Sequence, residues 1–436
     1  MAIRSRGLRT LALRVALKAA LLLGVSALSG CGFVIPDHVH TEWRAAVTSS
    51  VPPVEAPEEM IGLALSGGGS RAAVFASAVI EELDKIGIVQ RVTHVSSVSG
   101  GGFAASYHVL NPPPVCVAPG CREAHFAAFR AAMRADLWGA TLARQFGAPG
   151  RLTSPTRRAI SLMESLDAAF LRNVTFGDLP PSPVLLINAA RYDDGRRFVF
   201  STLPLPEEDY GDPLLGKDAL RAASFARPGC PRGAPARMPL SFAVASSAAF
   251  PGAFGPVTLE APAACAGEAT EFWHLGDGGI IENYGVETLR EIVLRRAGEG
   301  RPFRRALIVS VDAELRHSPE AMLQEPDARL WTTNPGIVVD TAKTRAEAYR
   351  DLVWAQVARE RGLEIEIVHL RYTDAELAEW PASCASERAA GLSVARHLAQ
   401  IETGLSISDC DADLMEAAAR DLVRRKLDGG AVAALR

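Results

Sequence analysis

Apolar positions along the chain follow two periods, and the change between them marks the elements. Ile61-Gly62-Leu63-Ala64-Leu65 is a short continuous apolar run, as expected for a strand covered on both faces. From Ala72 to Ile86, Val74, Phe75, Ala78, Val79, Leu83 and Ile86 recur at helical spacing, and Gly87 predicts the helix stop. Val92 to Ser97 is β-branched and bounded by polar residues, which predicts a second strand, and Phe103 to Leu110 a second helix. Strand, helix, strand and helix in this order predict two parallel strands joined by a right-handed crossover. Two glycine-rich turns end these strands, Ser66-Gly67-Gly68-Gly69-Ser70-Arg71 and Val98-Ser99-Gly100-Gly101-Gly102. Both then emerge at the carboxyl edge of one sheet, where open α/β folds bind ligands.

Beyond this unit, residues 123 to 170 carry Phe126, Phe129, Met133, Leu137, Leu142, Ile160, Leu162 and Leu166 with an amphipathic helical pattern, facing the core or capping the cleft. Strands are expected at 184–188 and 197–200 around the turn Asp193-Asp194-Gly195, then at 306–311 and 364–370, with a long helix over 337–361. The fold class is therefore α/β, with a mostly parallel central sheet and helices on both faces.

The chemistry of the two turns differs. A serine on a sharp strand-to-helix turn between small residues presents its hydroxyl as a nucleophile elbow, and Ser99 holds that place. The usual pattern is Gly-x-Ser-x-Gly, and Ser97 replaces its first glycine with the next smallest choice. The first turn offers the consecutive N–H groups of Gly67, Gly68 and Gly69 at a helix start, a site suited to an oxyanion. Arg71 adds a fixed positive charge, which orients the loop, meets a phosphate or pairs with an acid. Gly67 to Ala72 also fits Gly-x-Gly-x-x-Ala, the dinucleotide fingerprint. That reading wants an acid about 20 positions on, at the end of the second strand, where this chain has Ser96, Ser97 and Ser99.

With Gly276-Asp277-Gly278-Gly279 and Ala245-Ser246-Ser247-Ala248-Ala249-Phe250-Pro251 added to these turns, the chain resembles the patatin-like phospholipases over roughly residues 59 to 315. That family carries a Gly-Gly-Gly-x-Arg-Gly loop, a serine elbow about 30 residues later, an Ala-Ser-x-Ala-x-Pro stretch and a downstream Asp-Gly-Gly or Asp-Gly-Ala. Ala72 and Ser97 are small-for-small departures from it. The resemblance implies a patatin-like three-layer sandwich, a Ser99–Asp277 dyad, an oxyanion hole at Gly67, Gly68, Gly69 and Arg71, and a phospholipid or other acyl-ester lipid as substrate. It implies a carboxylic ester hydrolase of the phospholipase A or lysophospholipase kind, without a cofactor. A carboxylate with a reference pKa near 3.9 is a feeble base in water, so this dyad needs a partly dry site. A Ser-His-Asp triad is the alternative, drawing on His317, His369 or His397, while His274 reads as a strand-end residue. Two other functions use the same fold: acyl transfer to an alcohol or lipid, and non-catalytic lipid binding by a surface lipoprotein.

The amino end changes where this chemistry is expected. Arg4, Arg6, Arg9, Arg14 and Lys18 precede a short apolar stretch, Ala19 to Ala27, with no acid before Asp37. A bilayer span needs about 20 apolar residues. Leu28-Ser29-Gly30-Cys31 looks like a bacterial lipobox, which implies cleavage before Cys31, lipidation there and a membrane anchor; Gly32 after it favours the outer membrane, in a cell-envelope protein facing the periplasm or outside. The expected organisation is a signal peptide at 1–30, a lipidated tether at 31–58 with Pro36, Pro52, Pro53 and Pro57, a patatin-like domain at 59–375 and a mainly helical extension at 376–436.

The chain carries 46 basic and 50 acidic residues; losing the five basic residues before position 31 leaves 41 against 50, a net charge near −9. Such a balance argues against nucleic acid as a partner. Six cysteines remain after Cys31, and sequential pairing (116 with 121, 230 with 265, 384 with 410) is the simplest assignment in an oxidising compartment. No zinc or calcium ligand spacing stands out, so no metal is expected.

Overall fold

The structure is a computed structural model and describes residues 38–43, 57–116, 118–152, 154–205, 221–226, 233–263, 269–315, 335–389 and 391–427. Cys31 with most of the expected tether, and Cys230, Cys265 and His317, lie outside the described residues.

The strands are β1 (Val39–His40), β2 (Glu59–Leu65), β3 (His94–Val98), β4 (Val184–Arg191), β5 (Arg196–Phe200), β6 (Val257–Glu260), β7 (Phe272–Asp277), β8 (Arg305–Asp312) and β9 (Ile365–Arg371). Hydrogen-bonded neighbours run β1-β6-β7-β4-β3-β2-β8-β9, with β5 on β4. From β4 through β9 the pairs are parallel, as the strand-helix-strand unit requires. The β4–β5, β4–β7 and β6–β7 pairs are antiparallel, an edge that the amino-acid pattern did not reveal.

Period two along β2 builds the layers. Ile61, Leu63 and Leu65 enter one core with α1 (Gly69–Lys85) and α2 (Gly101–Leu110). Met60 and Ala64 enter a second core on the opposite face. Among the middle helices, α3 (Cys121–Met133), α4 (Leu137–Gly147) and α5 (Pro155–Leu166) replace the single amphipathic stretch of the sequence pattern. Phe126, Phe129, Met133, Leu137, Leu162 and Leu166 are buried in the first core, so these helices face inward. A further buried helix, α6 (Leu240–Ser247), joins them there.

On the other face, α7 (Val286–Gly298) supplies Val286, Leu289, Ile292 and Val293 to the second core. It comes so close to β2 that a Cβ at Gly62 would stand 2.8 Å from Leu289 Cδ1. The long α8 (Pro335–Arg361) packs Trp354 and Val357 against Leu294 of α7. The last long helix, α9 (Asp409–Leu427), lies along α1 and shares the first core with Phe75 and Val79. The result is the three-layer arrangement that the resemblance implies, helices covering both faces of the sheet.

Helix α1 stops where glycine was expected to stop it. Gly87 has φ +78°, and the N–H groups of Gly87 and Ile88 donate to the carbonyls of Asp84 and Leu83, closing the last turn. Disulfides join Cys116 to Cys121 and Cys384 to Cys410, two of the three sequential pairs.

Candidate active site

Ser99 follows the last residue of β3 and precedes α2, with φ +48°, a region that non-glycine residues rarely enter. Such strain persists only where neighbours impose it. Here Ser99 N–H donates to Ser247 Oγ (2.8 Å), and the Ser247 hydroxyl donates in turn to Asn188 O (2.5 Å). Ser247 belongs to the Ala-Ser-Ser-Ala stretch at the end of α6, so this motif supports the elbow from behind. Ser97, the departure from the usual elbow, is buried with its hydroxyl 3.4 Å from Leu186 O.

Asp277 ends β7, and sheet register delivers it to Ser99. Val98 pairs with Asn188 and Asp277 with Ala189, adjacent positions of β4. Since β5 pairs with β4 at both positions, β3 and β7 meet end to end along its opposite edge. Ser99 Oγ donates to Asp277 Oδ2 at 2.9 Å, and Gly279 N–H donates to Asp277 Oδ1 at 2.8 Å. Asp277 N–H donates to Ala249 O (3.1 Å). Gly278 has no room for a side chain: a Cβ there would stand 2.2 Å from Asn188 O.

Asp277 is 7% exposed, and burial pushes its carboxyl up to about 6, against the opposing pull of Gly279 N–H, the Ser99 hydroxyl and the positive charge of Lys343. Nearby Tyr192 is pushed up to about 12, by burial and then by the charge of Asp277. The pair thus combines a hydroxyl and a carboxylate of raised basicity at hydrogen-bond distance, in a largely dry site.

The first glycine turn lies beside this pair: a Cβ on Gly67 would stand 3.3 Å from Ser99 Cβ. Its N–H groups are not equivalent. Gly67 N–H donates to Asn283 O (2.9 Å) and Ser70 N–H to Gly404 O (2.7 Å). No partner among the described residues takes the N–H of Gly68 or Gly69, which have φ +139° and +61°. The N–H of Gly67, expected as a third oxyanion donor, is thus engaged by a backbone carbonyl.

Arg71, two residues after Gly69, is buried. Its side chain is 1% exposed and turns into the core, where Nε donates to Ala313 O (3.0 Å) and Nη1 to Ile401 O (2.5 Å), with the guanidinium 5.5 Å from the Tyr372 ring centroid. The hydrogen bonds of this cation end on carbonyls rather than on an acid or in the cleft. It braces the loop against the segments after β8 and before α9.

The described histidines have other partners. His274 Nδ1 lies 2.6 Å from Asp193 Oδ1, and His397 Nε2 lies 2.7 Å from Asp411 Oδ1. His369 sits within β9. None is a hydrogen-bond partner of Ser99 among the described residues.

Several supporting residues carried no sequence signal. Asn283 follows the Asp-Gly-Gly turn, and its Nδ2 donates to Glu314 Oε1 (3.2 Å). Lys343 and Tyr284 also bond to the Glu314 carboxylate, forming a buried polar knot behind the first glycine turn. Asn188 binds Ser96 Oγ and Ser97 O through its side chain (both 2.9 Å), which fixes the end of β3.

A family model described as patatin-like phospholipase matches residues 63–290, just over half of the chain. Among solved structures, human GIVD cytosolic phospholipase A2 is similar at a TM-score of 0.46 and 12% identity, over 96% of this chain and 66% of that one. The same human protein in complex with methyl gamma-linolenyl fluorophosphonate gives a TM-score of 0.44 at 14% identity, over 94% of this chain and 61% of that one. VipD from Legionella pneumophila gives 0.30 at 14% identity, over 88% of this chain and 70% of that one. The chain spans a little less than two thirds of the length of these human structures. A search of curated proteins finds no match. With its glycine turn, serine elbow and Asp-Gly-Gly turn all inside the matched region, the chain belongs to the patatin-like phospholipase family.

Proposed function

We infer that this chain is a serine acyl hydrolase that cleaves acyl esters of phospholipids or related lipids through Ser99 and Asp277. The observation that carries the reading is the 2.9 Å hydrogen bond from a serine held at positive φ to a buried carboxylate. Ser99 Oγ attacks the ester carbonyl carbon while Asp277 Oδ2 takes its proton. The oxyanion that forms is held by the N–H groups of Gly68 and Gly69, each donor of this kind lowering the barrier by about 3 to 4 kcal/mol. Collapse expels the alcohol portion of the lipid, which takes the proton from Asp277. Water then gives a proton to Asp277 and attacks the acyl-serine carbonyl, and the ester bond to Ser99 Oγ breaks as that oxygen takes the proton back from Asp277, releasing the fatty acid.

Labelling of the full chain in detergent with a fluorophosphonate tests the assignment. Labelling that disappears in Ser99→Ala and falls sharply in Asp277→Asn supports the dyad. A folded parent that takes no label overturns it, and full labelling of Asp277→Asn returns the role of base to the histidines.

The anchor belongs to the same proposal. The basic, apolar and lipobox segments before Cys31 support a lipoprotein of the cell envelope, held at the outer membrane by acyl chains on Cys31. No helix among the described residues is long and apolar enough to cross a membrane. Residues 31–58 then serve as the tether, 59–375 as the hydrolase domain and 376–436 as its helical extension. Incorporation of labelled palmitate that is lost in Cys31→Ala is the expected result, and incorporation unchanged in that variant removes the anchor.

A further inference from the structure

At the sheet edge far along the chain from Ser99, His38 lies just before β1 and His40 ends it, and their rings meet edge to face with centroids 4.5 Å apart. A turn at residues 42 and 43 folds Glu42 back toward them. One ligand atom from each of His38, His40 and Glu42 lies within 4.8 Å of the other two, and His40 Nδ1 stands 3.3 Å from Glu42 Oε1. Zinc bonds of about 2.0 to 2.1 Å at tetrahedral angles set neighbouring ligand atoms about 3.3 Å apart.

We propose that His38, His40 and Glu42 form a zinc site with one open coordination position. The donor set, two imidazoles and one carboxylate, suits Zn²⁺ among divalent ions and is unlike the all-oxygen shells of Ca²⁺ or Mg²⁺.

The three ligands differ in freedom in a way that suits capture. His40 is the fixed one: 3% exposed, its backbone paired with Leu259 of β6, its ring edge-on to Phe242 (4.9 Å between centroids) and stacked near Trp43 (6.0 Å). His38 is half-buried and Glu42 exposed, so both side chains can close on an ion held at His40. His38 N–H, meanwhile, donates to Thr156 Oγ1 (3.2 Å), which keeps the backbone in place.

The test titrates the full chain in detergent with Zn²⁺ alone, in competition with a chromophoric chelator, and repeats it on His38→Ala and Glu42→Gln. Both replaced side chains are at least partly exposed, so the variants keep the buried contacts of His40. The expected result is one equivalent of zinc in the parent. Removing a ligand weakens binding by at least the roughly 10- to 100-fold that loss of a ligand's supporting partner costs. Absence of stoichiometric uptake by the folded parent overturns the site, as does uptake unchanged in both variants.

Discussion

Gly100 and Gly69 meet backbone to backbone: a Cβ added to Gly100 would stand 2.2 Å from Gly69 O and 2.5 Å from Gly69 N. The serine turn and the first glycine turn, the oxyanion site of the proposal, are therefore packed as one unit, with no room for even a methyl group between them. Gly100→Ala pushes the turns apart, and since a misplaced oxyanion donor costs about 10²- to 10³-fold in rate, kcat against a chromogenic ester should fall by that order. Gly102, two residues on, is the control, because its added Cβ would meet nothing nearer than Val244 Cγ1 at 3.6 Å. Gly102→Ala should keep its rate and gain about 0.5 to 1 kcal/mol from the better helix former.

Ser99 stores backbone strain as well as chemistry, and two variants separate them. Ser99→Ala and Ser99→Gly both lose the hydroxyl bonded to Asp277, but only glycine occupies φ +48° without cost. The glycine variant should be the more stable of the two by about 1 to 3 kcal/mol in chemical denaturation. Equal stabilities would mean that the elbow is relaxed.

Asp277 makes activity and stability respond oppositely to pH. Its carboxyl must be ionised to accept the Ser99 proton, so kcat/KM should rise with pH along a limb centred near 6. Its folded pKa, about 6, lies above the ordinary 3.8, so the folded state holds this proton more tightly than the unfolded chain does. The stability contributed by protonation is complete below 3.8 and is lost as pH rises through 6. Above that pH the buried charge costs about 3 kcal/mol, from roughly two pKa units at 1.36 kcal/mol each. Asp277→Asn should therefore be inactive yet more stable than the parent at pH 8, with a gain that shrinks as pH falls toward 4. Denaturant midpoints at pH 4, 6 and 8 check the trend.

Ser247 touches no reacting atom, yet its hydroxyl joins Ser99 N–H to Asn188 O. Ser247→Ala leaves both groups without their partner, which costs about 1 to 3 kcal/mol of stability. The elbow loosens, so kcat should fall about tenfold, the equivalent of 1.4 kcal/mol of barrier, with KM little changed. A change confined to KM would place Ser247 in substrate binding instead.

The parts of this fold that are local in sequence were legible before the structure. Two glycine turns one helix apart stood out because each turn needs small residues at fixed offsets, while Asp277 was singled out only by the resemblance to the patatin-like phospholipases. The continuous apolar run, the helical spacing and the β-branched run around them located β2, α1 and β3 to within a few residues. Long-range relations left no such trace. The direction of Arg71 depends on carbonyls 242 and 330 residues away, and the occupied N–H of Gly67 depends on Asn283. Neither periodicity nor spacing encodes which acceptor fills a donor's site. The antiparallel run of β6 and β7 was hidden for a similar reason: strand direction is decided by the connection, and β6 to β7 needs no crossover helix to betray it.

The contacts of Gly404 with Ser70 and of Ile401 with Arg71 also set a clock. The turn that opens near position 67 is among the first parts of the domain to be synthesised, and the carbonyls that brace it are among the last. Until residue 404 has joined the fold, Ser70 N–H and the Arg71 guanidinium lack acceptors that they hold in the finished protein. Chains stopped before residue 401 should thus remain unlabelled by a fluorophosphonate, while a chain carried through α9 reacts. The glycine turn beside Ser99 would in this way take its final shape only once the segment around residues 401–404 has docked against it.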